Sequence, residues 1–205
     1  MTGETLWQLE HSFYTDEIAV ICGVDEAGRG PLAGPVYAAA VILPRDWILP
    51  GLNDSKKVPD KRRRELYDQI VDGALAFGIG SASAGEIDEL NILQATFLAM
   101  KRAVSQLQTK PDLILVDGNQ EPQLDVPVRT IVKGDGKSAN IAAASILAKV
   151  SRDRYMEAMG EQYPQYDFAI HKGYGTKRHY EALRTYGPCP IHRMSFLKKF
   201  YAGQP

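Results

Sequence analysis

Three apolar runs in this chain stop at acids, and those endings restrict what it can fold into. Ile21 to Val24 runs into Asp25-Glu26, Leu113 to Val116 into Asp117, and the stretch "VRTIVKGDG" into Asp135. A single acid at a strand end reads as an Asx-turn or a helix cap. If three such strands lie side by side in one sheet, four carboxylates converge on one edge. Clustered carboxylates repel one another and cannot all ionise cheaply. The usual compensation is a divalent ion, and oxygen ligands with no Cys or His cluster nearby favour Mg2+ or Mn2+ over zinc.

The remaining pattern supports an α/β fold. "EIAVICGVDEA", "PVYAAAVILP" and a glycine-weakened "ALAFGIGSAS" read as strands, and "PDLILVDGN" and "VRTIVKGDG" as two more. Helices are expected over "PDKRRRELYDQIVDG", over "GEIDELNILQATFLAMKRAVSQL" with a break at Asn91, over "SANIAAASILAKVSRDRYMEAM", and from about Thr176 to Tyr186. Three strands close together, then single strands separated by helices, predict a mixed sheet. The 205 residues suit one domain with a small appendage. The division expected is a core over 1–160 and a helical C-terminal region over 161–205 packed on it.

Charge is uneven. From Lys133 onward 12 Lys and Arg face 6 Asp and Glu, whereas Met1 to Val132 carries 12 against 19. The C-terminal third is therefore the side expected to meet a polyanion. No apolar run is long enough to span a membrane, and the start lacks a signal-peptide core. Cys22 and Cys189 form no Cys-x-x-Cys pair, and Cys22 reads as a small buried thiol. The expectation is a reducing, cytoplasmic location and a monomer with no membrane contact.

Two glycine loops offer exposed backbone. "GRGPLAG" leads into a strand and not a helix, so it is no dinucleotide fingerprint. "KGDGKS" fails as a phosphate-binding P-loop because position 131 is Ile. Gly28 and Gly30 let a ligand approach the main chain around Arg29, and "HKGYGT" does the same around Tyr174. One difficulty attends the acids. Neighbours on a regular strand point to opposite faces, so Asp25 and Glu26 share a site only if the strand bends or if Glu26 contributes its carbonyl.

"GVDEAGRGPLAGPVYAAAVIL", "LNDSKK", "ILVDGN", "KGDGKSANIAAASILAKVSRDRYM", "HKGYGT" and "GPCPIHRMSF", in this order, resemble bacterial ribonuclease HII. The resemblance implies a ribonuclease H-like core, a mixed sheet flanked by helices. It implies endonucleolytic cleavage of RNA in RNA/DNA hybrids and of single ribonucleotides embedded in duplex DNA, with Mg2+ or Mn2+, giving 5′-phosphate and 3′-hydroxyl ends. It assigns Asp25, Glu26, Asp117 and Asp135 to the metal site, Gly28, Arg29 and Gly30 to a junction-reading loop, and Tyr174 to the junction tyrosine. Lys56, Lys149 and Arg152 either contact backbone phosphates or lie on a solvated face. His171 assists proton transfer, holds a phosphate, or is structural. The segment up to about Asp16 lies outside the motifs and receives no role.

Overall fold

A computed structural model describes residues 3–202. Its five strands are β1 (Ile21–Ala27), β2 (Val36–Ile42), β3 (Ala76–Ala82), β4 (Leu113–Asp117) and β5 (Val128–Ile131). They form one sheet in the order β3-β2-β1-β4-β5. The first three strands pair antiparallel, and β4 and β5 join parallel, so the sheet is mixed as expected. The parallel register sets Val24 opposite Val116, which brings Asp25 and Asp117 to the same level one residue further on.

Both faces of the sheet are covered, which is why the central strands read as continuous apolar runs. On one face lies α5 (Ala139–Gln162), with α1 (Gly3–His11) and α2 (Asp60–Gly73) beyond it. Ala39 and Val41 of β2 meet Ala142, Ala143 and Leu147 of α5, Leu66 and Ile70 of α2, and Leu6 and Trp7 of α1 in one buried cluster. Helix α5 is sandwiched, and its alanines allow close approach on several sides. The other face carries α3 (Ala84–Leu90) and α4 (Ile92–Val104), packed on Cys22, Val24, Ala38 and Ala40. The break at Asn91 is present: its side chain accepts from the N–H groups of Leu93 and Gln94 and starts α4. The glycines of β3 are points of close approach. A Cβ on Gly78 or Gly80 would lie 2.1 or 2.2 Å from the Ala103 or Ala99 carbonyl oxygen of α4.

Helix α1, in the segment given no role, is tied to the start of α5. The buried Glu10 carboxylate accepts from the Ser138 hydroxyl at 2.6 Å and from the Asn140 N–H at 2.9 Å. The C-terminal region adds α6 (Phe168–His171), α7 (Lys177–Tyr186) and α8 (Met194–Ala202). The expected boundary at residue 160 falls inside α5. Leu32 and Ala33 from the glycine loop join Met156, Tyr166, Phe168, Leu183 and Leu197 in a further apolar cluster. Among the described residues no helix is long and apolar enough to cross a membrane.

Candidate active site

Asp25, Asp117 and Asp135 each present a carboxylate oxygen, and these oxygens lie within 4.8 Å of one another. β1 and β4 deliver the first two side by side. Asp135 arrives differently from expectation. β5 ends at Ile131, Lys133 takes a left-handed φ of 58°, and Asp135 sits in a short 3-10 turn over Gly134–Gly136. Asp117 anchors that turn by accepting the Gly134 N–H at 2.6 Å.

Burial raises Asp25 well above the ordinary carboxylate range, with the charges of Glu26 and Asp117 adding to it. Burial also raises Asp135, reinforced by Asp117 and Asp54. Lys56 lies near this cluster. Burial lowers its pKa, but Asp25, Asp54, Asp135 and Asp117 outweigh that and hold it above the usual lysine value. Hard oxygen donors, crowded and incompletely neutralised, suit a divalent cation of the Mg2+ or Mn2+ class.

Glu26 is the acid that the strand geometry sets apart. It belongs to β1, opposite Ala38, and its carboxylate lies 3.4 Å from Arg29. It stands outside the trio but near it: burial raises its pKa, Arg29 opposes this, and Asp117 adds to it.

The glycine loop adjoins the cluster: Gly28, Arg29, Gly30, Lys56 and Tyr174 line one cleft together with Asp25 and Glu26. The N–H groups of Gly28, Arg29 and Gly30 have no partner among the described residues, whereas the carbonyls of Gly28 and Arg29 are occupied. Arg193, fully buried, donates to the carbonyls of Gly28 (2.6 Å), Arg29 (2.9 Å), Pro31 (2.8 Å) and Gly34 (2.8 Å). Arg152, also buried, donates to Ala33 (3.1 Å), Pro35 (3.1 Å) and Lys172 (3.0 Å). The loop is thus fixed through its carbonyls, while Gly28, Arg29 and Gly30 themselves line the cleft. Gly28 has φ 95°, and a Cβ there would lie 1.9 Å from Arg152 Nε, so a larger residue collides with this support before it meets any ligand.

Other expected residues fall elsewhere. Arg152 is not a solvated or phosphate-facing cation, because its guanidinium is committed to three carbonyls. Lys149 lines the cleft but pairs with Asp153 at 2.7 Å. His171 does not line the cleft. Its Nε2 lies 2.6 Å from the Tyr166 carbonyl, and its Nδ1 accepts the Gly173 N–H at 3.2 Å. Asp54, Ser55, Ser145 and Arg193 belong to the site and its frame, although sequence reasoning assigns them no part. The first two lie in "NDSKK", where only the lysine draws attention. The Ser145 hydroxyl donates to that of Ser55 at 2.7 Å, and both serines line the cleft beside Asp25.

A family model described as ribonuclease HII matches residues 22–199. Ribonuclease HII of Caldicellulosiruptor bescii is 52% identical over 95% of this chain and 95% of its own length. That of Endomicrobium trichonymphae is 55% identical over 93% and 91%. The chain belongs to the ribonuclease HII family. The crystal structure of the ribonuclease H2 from Pyrococcus horikoshii OT3 superposes with a TM-score of 0.73 at 27% identity, covering 91% of this chain and all of that one. As a ribonuclease HII, the chain is an endonucleolytic ribonuclease acting on RNA/DNA hybrids, in a family that depends on divalent metal.

Proposed function

We propose that this ribonuclease cleaves both continuous RNA in hybrids and single ribonucleotides embedded in duplex DNA, leaving 5′-phosphate and 3′-hydroxyl ends. The observation that carries the reading is the juxtaposition of three converging carboxylates with a wall of unpartnered amides and one exposed tyrosine. Asp25, Asp117 and Asp135 would hold divalent metal, with Glu26 beside them. Two such ions supply an activated water, an oriented phosphate and a stabilised leaving oxygen.

The chain's own residues do the selecting. The 2′-OH separates RNA from DNA, and it both donates and accepts. The free amides of Gly28 to Gly30 are donors for its oxygen. Tyr174 stands beside them, since a Cβ on Gly30 would lie 3.8 Å from its ring. The tyrosine stacks on the following sugar, which must be deoxy for close approach. Lys56, held charged by four acids, is placed for the scissile phosphate. Cations of the C-terminal third meet flanking phosphates, which position the duplex without identifying a ribose.

The test is cleavage of a DNA duplex carrying one ribonucleotide, with Mg2+, with Mn2+ and with chelator. Metal-dependent incision on the 5′ side of that ribonucleotide is expected. Cleavage that survives chelation, or a duplex left intact with either metal, sinks the proposal.

A further inference from the structure

Three histidines cluster behind Tyr174, away from the acids. His179 and His192 are buried, and their Nε2 atoms lie 2.9 Å apart. The outer partners of these rings fix where the protons sit. The Cys189 N–H can only donate, and it points at His192 Nδ1 from 2.9 Å. The Cys189 carbonyl also lies near His192 Nδ1 but farther off, at 3.2 Å, so the shorter N–H bond makes Nδ1 the acceptor and puts the ring proton on Nε2. His179 Nε2 must then accept. Its own proton is on Nδ1, 2.9 Å from the Tyr174 carbonyl, which can only accept. The reverse arrangement would let His192 Nδ1 donate to the Cys189 carbonyl, but it would also set that proton against the closer Cys189 N–H and a lone pair of His179 against the Tyr174 oxygen. Burial pushes both histidines down to about 4, so both rings are neutral at physiological pH.

This chain of bonds ends at the main chain of the recognition tyrosine. The Tyr174 carbonyl also accepts the Thr176 N–H at 2.8 Å, so both its lone pairs are engaged. His171 stacks on His179 with ring centres 4.6 Å apart and fixes the plane of that ring. At the other end, His192 pairs with Ala33 in an isolated bridge and is followed by Arg193, which holds the Gly28, Arg29, Pro31 and Gly34 carbonyls. Leu32 N–H reaches back to the Gly173 carbonyl at 2.8 Å. The step His192-Arg193 therefore joins the two parts of the wall opposite the acids: His192 reaches the Tyr174 carbonyl through His179, and Arg193 holds carbonyls of the glycine loop.

We propose that His179 and His192 are positioning residues for ribonucleotide recognition: their relay sets where Tyr174 stands relative to the Gly28–Gly30 amides. The inference rests on the reading that Tyr174 recognises the RNA-to-DNA step. The relay acts only through placement of that ring. Its loss should spare the acid cluster and lower cleavage at a lone ribonucleotide more than cleavage of a continuous hybrid.

The test has two parts. Long-range 1H–15N NMR of the wild-type imidazoles reads the tautomers directly. The expected result is His192 protonated on Nε2 and His179 on Nδ1; the same tautomer on both rings overturns the relay. The second part is the ratio of kcat/KM on a single-ribonucleotide duplex to that on a continuous hybrid, for wild type, Tyr174→Ala, His179→Leu and His179→Gln. The Leu variant should lose about tenfold in this ratio, approaching Tyr174→Ala, because a small misplacement costs that much in a preorganised site. Gln, which carries both a donor and an acceptor, should recover most of the loss. If Tyr174→Ala lowers the ratio and His179→Leu does not, the relay is refuted alone. If Tyr174→Ala leaves the ratio unchanged, the reading of the tyrosine fails and takes this inference with it. Should His179→Leu fail to fold, the tautomers and the Gln variant decide.

Discussion

The two walls of the cleft handle charge in opposite ways. On one, Asp25, Asp117 and Asp135 face one another with too few cations among them, and burial raises Asp25 and Asp135. On the other, two buried arginines give their N–H groups to carbonyls and not to carboxylates. Seven backbone carbonyls of the glycine loop and the Lys172 turn take them up. Burial and the neighbouring Arg152 lower Arg193 only to about 9, so it stays charged at neutral pH. Charge is left unbalanced where a cation is to be taken in, and spread over dipoles where a backbone shape must be kept.

The acid wall should show the largest effect. Asp117→Asn or Asp25→Asn should cut cleavage by about a thousandfold or more at saturating Mg2+ while leaving the circular-dichroism spectrum unchanged. Near-normal turnover in Asp117→Asn would remove that residue from the metal site. The same kind of change should act oppositely on stability without metal. A carboxyl whose folded pKa lies above its unfolded value contributes stability that is complete below the unfolded value and is lost as pH rises through the folded one. Asp25 is such a group. In chelator, Asp25→Asn should therefore raise Tm, by roughly 2–4 °C per kcal/mol of repulsion relieved. The gain should be larger at about pH 8 than at about pH 5, because only the wild type carries the extra charge there.

The recognition wall breaks by a different route. Arg193→Met leaves several buried carbonyls without donors, each costing about 1–3 kcal/mol. A total loss of roughly 3 kcal/mol or more is expected in urea unfolding. Metal affinity of the fraction that remains folded should be nearly unchanged. A variant as stable as wild type would mean that water replaces the guanidinium and that the loop does not need it.

This contrast also explains what is legible in the sequence. The sheet, the Asn91 break and the convergence of the acids follow from periodicity and from strand endings, which are local signals. Asp135 lies a few residues beyond its strand instead of at the strand end, because Lys133 in a left-handed conformation follows a β5 that stops earlier than the apolar pattern suggests. Arg152 and Arg193 are hidden for another reason. Nothing local distinguishes a cation on a solvated helix face from one whose partners are carbonyls more than a hundred residues away in the chain. Helix α1 stays unassigned at the level of sequence because its link, Glu10 to Ser138 and Asn140, is also long-range.

Charge outside the cleft should matter less. Lys177 is almost fully exposed and its pairing to Glu181 is loose at 3.9 Å, while Arg178 is held by Asp167 at 2.6 Å. Lys177→Glu with Arg178→Glu should weaken binding to any duplex alike and lower the salt slope by about 1 for each phosphate no longer neutralised. Lys177 should account for most of the change, since Arg178 is already paired. An unchanged slope would place the duplex away from α7.

The smallest expected effect comes from a single oxygen. The Tyr174 hydroxyl makes no hydrogen bond among the described residues, and the residue is 48% exposed. What is fixed is its main chain, tied to His171, Thr176 and His179, and its ring, which stands beside Gly30. If recognition on this wall works through shape, the ring face does the discriminating, because stacking on a sugar needs area and closeness rather than a donor. Tyr174→Phe keeps both. Its preference for a lone ribonucleotide over a continuous hybrid should stay within about twofold of wild type, since base- or sugar-to-aromatic stacking tolerates loss of the hydroxyl. Tyr174→Ala should lose that preference while retaining metal binding and most non-specific duplex affinity. The discriminating measurement is kcat/KM on both duplexes for the two variants. A Phe variant that falls to the level of Ala would show that the hydroxyl meets a phosphate or sugar oxygen, making this wall chemical as well as steric.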